Sequence, residues 1–350
     1  MVADPALLTT SPALDLVNAP PVAVHVSRGA AVESRHRAWY AVVDADGRTV
    51  AAAGDIAVAV YARSAFKPLQ ALPVVETGAA DRFALTPAEL ALACASHGGE
   101  PIHVATAAGV LARAGLGVGN LECGAHLPSH LPSQHALIRA GEAPSALHNN
   151  CSGKHAAMLA TAVHQGEETR GYIKPEHPVQ RRVLRALEDM CGVDLSAAPR
   201  GIDGCGLPQI AIPLQALARA MARFGAPDAL PPARAAACRR IAAAMMGNPL
   251  MVAGTGRFCT RVMEIAAGKA VVKTGAEGMY MAAIPAKGLG IALKIEDGAA
   301  RAAEIVMAAL LARHAGFDDA QRTKLEALLH PTVTNVVGLR VGEIAPAPNF

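Results

Sequence analysis

Apolar and polar positions sort the chain into three stretches. Residues 21–60 alternate at short range: PVAVHVSRG is followed by HRAWYAVVDADGRTVAAAGD, where two β-rich runs flank Asp46-Gly47, a dipeptide suited to a hairpin turn. From about 65 to 250 the spacing becomes helical. In TPAELALACASHGG, Thr86 can cap, Pro87 suits the first helical position, Glu89 completes a capping box, and Gly98-Gly99 stops the helix. Further helices are predicted at 101–114, 151–164, 176–191, 208–223 and 233–246, separated by breaks such as HLPSHLPSQ and GIDGCGLPQ. Over 261–295 three apolar runs are separated by Gly-Lys and Lys-Gly turns, which predicts an antiparallel meander; helical spacing resumes at 298–315 and 317–329.

Strands from both ends with helices between them predict an α+β fold. One antiparallel sheet is built from N- and C-terminal strands and packed with a mostly helical central lobe, the cleft between them being the default site. The expected boundaries are an N-terminal extension at 1–20, a single unit at 21–335 and a C-terminal tail at 336–350. Within the unit, the sheet lobe takes about 21–63 and 255–335, and the helical lobe about 64–254.

Composition narrows the function classes. The 350 residues are 52% hydrophobic and 17% charged, as expected of a globular chain with a large core. No run of about 18 apolar residues is free of Pro, Gly or charge, so no membrane span is expected. The N-terminus has no basic segment, and Asp4 and Asp15 sit where a signal peptide would be apolar, so a cytoplasmic location is expected. A net charge of +3, scattered basic residues and 3% aromatic content argue against nucleic-acid binding. Seven cysteines at irregular spacing, with no C-x-x-C pair, point to reduced thiols rather than a disulfide framework. The cations are 24 Arg and only 8 Lys. A buried Lys can lose its proton and act as a base, whereas Arg cannot, so each Lys near a motif is informative.

Three motifs carry the candidate chemistry. Ser64-Ala65-Phe66-Lys67 opens a predicted helix, where a spacing of three puts hydroxyl and amine on one face. A serine beside a neutral lysine can be deprotonated, although a capping Ser and a surface Lys would look the same in isolation. Ser96 lies at a helix terminus in CASHGG, and Lys273-Thr274-Gly275 ends a predicted strand in VVKTGAEG. S-x-x-K, a second serine and K-T-G, in that order, are the signature of penicillin-recognising serine acyl-transfer enzymes. The middle element departs from that pattern: Ser96-His97-Gly98 replaces S-D-N. The fourth stretch, NNCSGKHAAM, places Cys151, Lys154 and His155 at a helix start, and Cys205 lies in DGCGL. From the residues alone, Cys151 reads first as a small buried apolar residue, and His155 is the more natural metal ligand than Lys154. Cys94, Cys123, Cys191, Cys238 and Cys259 read as buried thiols, and His97, His126, His130 and His135 as solvated or hydrogen-bonded side chains.

Taken together, RSAFKP, CASHGGE, NNCSGKHAAM, GIDGCGLP and VVKTGAEG resemble the class 3, rhizobial-type L-asparaginases over about residues 21–335, in the same order. The resemblance implies a serine β-lactamase and glutaminase-like fold, a homodimer, and zinc held by two cysteines and a lysine. At matching positions it implies a catalytic group of Ser64, Lys67, Ser96 and Lys273. Zinc would be bound by Cys151, Lys154 and Cys205 with Asp203 close by, and Arg63 and His155 would line the substrate pocket. By analogy with K-T-G enzymes, Thr274, Gly275 and Ala276 border the substrate, and the N–H groups of Ser64 and Ala276 form an oxyanion hole.

The expected reaction is hydrolysis of L-asparagine through an acyl-serine, with Ser64 as nucleophile and Lys67 as the base, its proton affinity lowered by burial and by a cationic Lys273. Which serine is acylated stays open at this stage. The alternatives are a glutaminase, a β-lactamase- or esterase-like serine hydrolase, and a non-catalytic protein using the Cys151–Cys205 pair alone to bind metal.

Overall fold

The computed structural model describes residues 19–350; the expected extension at 1–20 falls, but for its last two residues, outside them. The strands are β1 (Val22–Arg28), β2 (Ala31–Asp44), β3 (Thr49–Ala53), β4 (Ala59–Tyr61), β5 (Arg200–Ile202), β6 (Pro208–Pro213), β7 (Val271–Thr274), β8 (Met279–Ile284), β9 (Leu289–Ile295), β10 (Thr332–Thr334) and β11 (Arg340–Pro346). The first helices are α1 (Lys67–Gln70), α2 (Leu72–Glu76), α3 (Ala79–Arg82), α4 (Pro87–Ala93), α5 (Pro101–Arg113), α6 (Leu131–Arg139) and α7 (Ser152–His164). The remainder are α8 (Pro178–Cys191), α9 (Leu214–Gly225), α10 (Pro232–Gly247), α11 (Pro249–Ala253), α12 (Phe258–Ala266), α13 (Ala300–His314) and α14 (Asp319–Leu329).

The main sheet runs β10-β11-β1-β2-β9-β8-β7, with β3 also paired to β2, and every pairing is antiparallel. N-terminal strands thus occupy the middle of a sheet whose flanks come from the C-terminal third, and the α+β expectation is met. Helix α9 packs across β2, β8 and β9, while α13 packs against β1, β8, β9 and β11. The predicted hairpin forms between β2 and β3: Asp44 Oδ1 accepts from the N–H groups of Asp46 and Arg48, and Gly47 takes a positive φ. The Thr86 capping box of α4 also forms, with Glu89 additionally paired to Arg113.

Four local expectations are corrected. Residues 208–213 are strand rather than helix, and α9 begins only at Leu214. A short apolar run reads the same in either conformation, and here PQIAIP is buried because it is the central strand of a second sheet, β4-β6-β5. Residues 261–266, expected as strand, belong to α12: Val262, Met263 and Ala266 are buried while Arg261 and Glu264 are exposed, a helical period. Helix α4 ends at Ala93, ahead of Gly98-Gly99. The stretch 336–350 carries β11, which pairs with β1. Among the described residues, no helix is long and apolar enough to cross a membrane.

Candidate active site

The chain leaves β4 at Tyr61 and enters a 3-10 turn, Arg63–Phe66, that runs into α1. Arg63 at its start has φ 51°, a left-handed conformation that costs a residue with a Cβ on the order of 1 kcal/mol. Ser64 follows it and is half-buried, whereas Lys67 is fully buried. Gly275 of the K-T-G motif lies directly against this turn. A Cβ there would come within 2.7 Å of the Ala62 carbonyl oxygen and 3.1 Å of the Ala65 nitrogen. Glycine is therefore required for the end of β7 to reach the serine. Among the described residues, neither the Ser64 nor the Ala276 N–H donates to another backbone group, as an oxyanion-binding pair needs.

The second serine sits in the loop after α4. Its N–H donates to the Val252 carbonyl, His97 donates to the Asn150 carbonyl, and the Glu100 carboxylate accepts from the Thr255 N–H and hydroxyl. The loop is thereby anchored to α11, the turn that precedes α7 and the segment after α11. Ser96 Oγ lies 3.0 Å from Lys67 Nζ and 2.9 Å from Lys273 Nζ, so one hydroxyl joins two fully buried amines. Lys67 also donates to the Ala95 carbonyl and Lys273 to the Thr274 carbonyl. Lys67, Ser96 and Lys273 are thus in direct contact. The Ser64 hydroxyl makes no hydrogen bond among the described residues.

Burial, and after it the neighbouring Lys67 charge, lower Lys273 to about 7. Lys273, expected to stay cationic, is thereby brought toward neutrality. When Lys273 is neutral it can accept the Ser96 proton while Lys67 donates to the same oxygen, giving an unbroken path Lys67–Ser96–Lys273.

Helix α7 brings the third motif to this group. Gly153 allows the approach, since a Cβ there would come within 2.4 Å of the Leu92 carbonyl oxygen on α4. Cys151 Sγ then lies 3.1 Å from Lys67 Nζ, and Lys154 Nζ lies 3.4 Å from Cys205 Sγ. The Cys205 hydrogen bond, against the cost of burial and with help from Lys67 and Lys154, holds the Cys151 thiol well below its ordinary value; the same contact and burial push Cys205 up. The two thiols are thus coupled, one lowered as the other is raised. Burial opposes charge on Lys154, but Cys151, Cys205 and Asp203 outweigh it and raise its proton affinity. Asp203 Oδ1 accepts from Arg63 Nη2 at 2.7 Å and Nε at 3.0 Å, and Asp203 Oδ2 lies 4.0 Å from Cys205 Sγ.

Among the described residues, no group of three or more His, Cys, Asp or Glu side chains could hold a metal ion. The pair of thiols becomes a three-donor set only with Lys154. Its chemistry suits a thiophilic ion: one thiol of lowered proton affinity and a buried amine beside the other. Binding there must release the Lys154 proton. His155 is fully buried and bonds Tyr172 Oη through Nδ1 at 2.6 Å, in the interior rather than at an exposed pocket wall. His97, expected as a solvated or hydrogen-bonded side chain, is buried and bonded to Ser152 Oγ at 2.9 Å. All seven cysteines are free and buried.

The sequence matches the L-asparaginase II family over residues 24–346. The chain belongs to that family. It is accordingly an amidohydrolase, an L-asparaginase, and the resemblance to the rhizobial-type class 3 enzymes is borne out. No curated protein is similar enough to this chain to count as a match. In this L-asparaginase, the sequence motifs left one polar residue unnoticed: Gln209 on β6, buried between Arg63 and Asp203. Its signal was a lone amide inside the apolar run PQIAIP.

Proposed function

We propose that this L-asparaginase hydrolyses L-asparagine to L-aspartate and ammonia through an acyl-enzyme on Ser64, with Lys67, Ser96 and Lys273 moving the protons. The observation that carries the reading is the Ser96 hydroxyl held between two buried amines at 3.0 and 2.9 Å, beside a strained turn that presents a free, half-buried serine. Ser64 attacks the side-chain amide carbon, and its proton enters the Lys67–Ser96–Lys273 path. The N–H groups of Ser64 and Ala276 donate to the developing oxyanion, with Thr274 and Gly275 bordering it. Collapse expels the amine, which takes a proton back from the same path and leaves as ammonia. Water then attacks the β-aspartyl ester and frees Ser64. Arg63 and Asp203, tied together at the mouth of the turn, shape the substrate site, with His155 buried behind it rather than lining it. The architecture of an antiparallel sheet against a helical lobe suits a serine β-lactamase-like fold.

Cys151, Lys154 and Cys205 would hold a zinc ion, which would act as a Lewis acid that positions polar groups of the substrate. We further propose a homodimer working in the cytoplasm; seven reduced cysteines suit a reducing compartment. Ammonia release from L-asparagine and L-glutamine, measured side by side on wild type, Ser64→Ala and Ser96→Ala, tests the reading. Ser64→Ala is expected to abolish turnover at unchanged zinc content. Full activity in Ser64→Ala would end the proposed mechanism.

A further inference from the structure

The second sheet has a purpose that its small size conceals. Strand β6 lies at its centre, pairing Tyr61 with Ala211 on the β4 side and Gly201 with Gln209 on the β5 side. β4 leads into the Ser64 turn, and β5 leads into the loop of Asp203 and Cys205. Extended by two residues, the β4–β6 register puts Arg63 opposite Gln209. The backbone ladder cannot continue that far, because Arg63 turns left-handed at φ 51°. Its N–H is instead taken by the Gln209 side chain, Oε1, at 3.1 Å.

The other end of that amide faces the metal-side loop. Gln209 Nε2 donates to Asp203 Oδ2 at 3.3 Å, while Asp203 Oδ1 accepts from the Arg63 guanidinium. The ring is closed: Arg63 N–H to Gln209, Gln209 to Asp203, Asp203 to the Arg63 side chain. An N–H on one side and a carboxylate on the other dictate which way the amide points. Gln209 is 2% exposed, so water does not readily substitute for it.

We propose that Gln209 is a positioning residue that holds the Ser64 turn in its reactive geometry and locks it to the Asp203–Cys205 loop. The inference rests on the reading of Ser64 as nucleophile. A strained conformation persists only while its surroundings enforce it, and the Arg63 N–H is the point at which β6 grips this turn. Release lets Ser64 move relative to the Gly275–Ala276 backbone, and a displacement near 1 Å is enough to cost on the order of 10²-fold in rate.

The test compares Gln209→Met, which keeps the volume and removes both hydrogen bonds, with Gln209→Glu, which keeps an acceptor for the Arg63 N–H. Wild type and Ser64→Ala are measured alongside. Steady-state ammonia release, zinc content and thermal melting are recorded for each. Gln209→Met is expected to lose about 10- to 100-fold in kcat while KM changes by less than about threefold. Its zinc content and melting temperature should stay near wild type, and Gln209→Glu should lose less kcat. If Gln209→Met does not fold, a kcat loss at unchanged KM in Gln209→Glu carries the same support. Wild-type kcat in Gln209→Met with Ser64→Ala inactive overturns the Gln209 inference alone. Equal kcat losses in both variants, accompanied by lost zinc and lowered melting, also overturn it, as the signature of a merely structural residue. Activity in Ser64→Ala overturns the nucleophile reading and the inference with it.

Discussion

Lys67 Nζ lies 3.1 Å from Cys151 Sγ and 3.0 Å from Ser96 Oγ, so one buried amine belongs to both the serine–lysine group and the thiol pair. The two halves of the site are therefore electrostatically one. A change at the sulfurs alters the charge that Lys67 sees, and hence the proton path it feeds.

Replacing Cys151 with Ala tests that coupling. The expected result is loss of bound zinc together with a kcat lowered about 10-fold or more, because Lys67 loses its sulfur neighbour as the metal set loses a donor. Metal analysis and steady-state rates on the same preparation check it. Unchanged kcat in a zinc-free variant would separate the two halves.

The depression of Lys273 to about 7 sets a pH dependence. The neutral amine is the form that can accept the Ser96 proton, so kcat/KM should rise with pH through about 7 and level off above it. Lys273→Arg stays protonated throughout and should lose about 10²-fold or more. A wild-type profile that is flat across that range would rule out Lys273 as the titrating base.

Gly275→Ala should act through geometry alone. Its Cβ would meet the Ala62 carbonyl oxygen at 2.7 Å and Met279 Cβ at 3.0 Å, so β7 or the Ser64 turn must move. About 1–3 kcal/mol of stability is expected to be lost. Denaturant unfolding should show this alongside a kcat reduced on the order of 10²-fold. Wild-type turnover would mean that the turn tolerates displacement.

Gly153→Ala probes the approach of α7 to α4. With the Leu92 carbonyl oxygen 2.4 Å from the added Cβ, the helices must part, carrying Cys151 and Lys154 away from Lys67. Zinc affinity and melting temperature should fall together. Retention of both would show that the contact is not what places the thiols.

Much of this molecule could be read from its chain, because the features concerned are local. The Thr86 capping box, the Asp46-Gly47 hairpin and the edge of α7 at Ser152 depend on residues a few positions apart, and each forms as expected. The motifs around Ser64, Ser96, Cys151, Cys205 and Lys273 were likewise visible, since each is a short run of unusual residue types, and they led to the family that the match over 24–346 confirms. Tertiary structure decided whatever depends on packing between distant segments. PQIAIP became a strand because β4 and β5 flank it, and RVMEIA became a helix because one of its faces is buried. Lys67 points to Ser96 and Cys151, 29 and 84 positions away, rather than resting with the serine three positions before it. The lowered proton affinity of Lys273 and the grip of Gln209 on Arg63 follow from the same cause. Burial and the approach of a charge or an amide across the fold set them, and sequence spacing does not encode which distant segments meet.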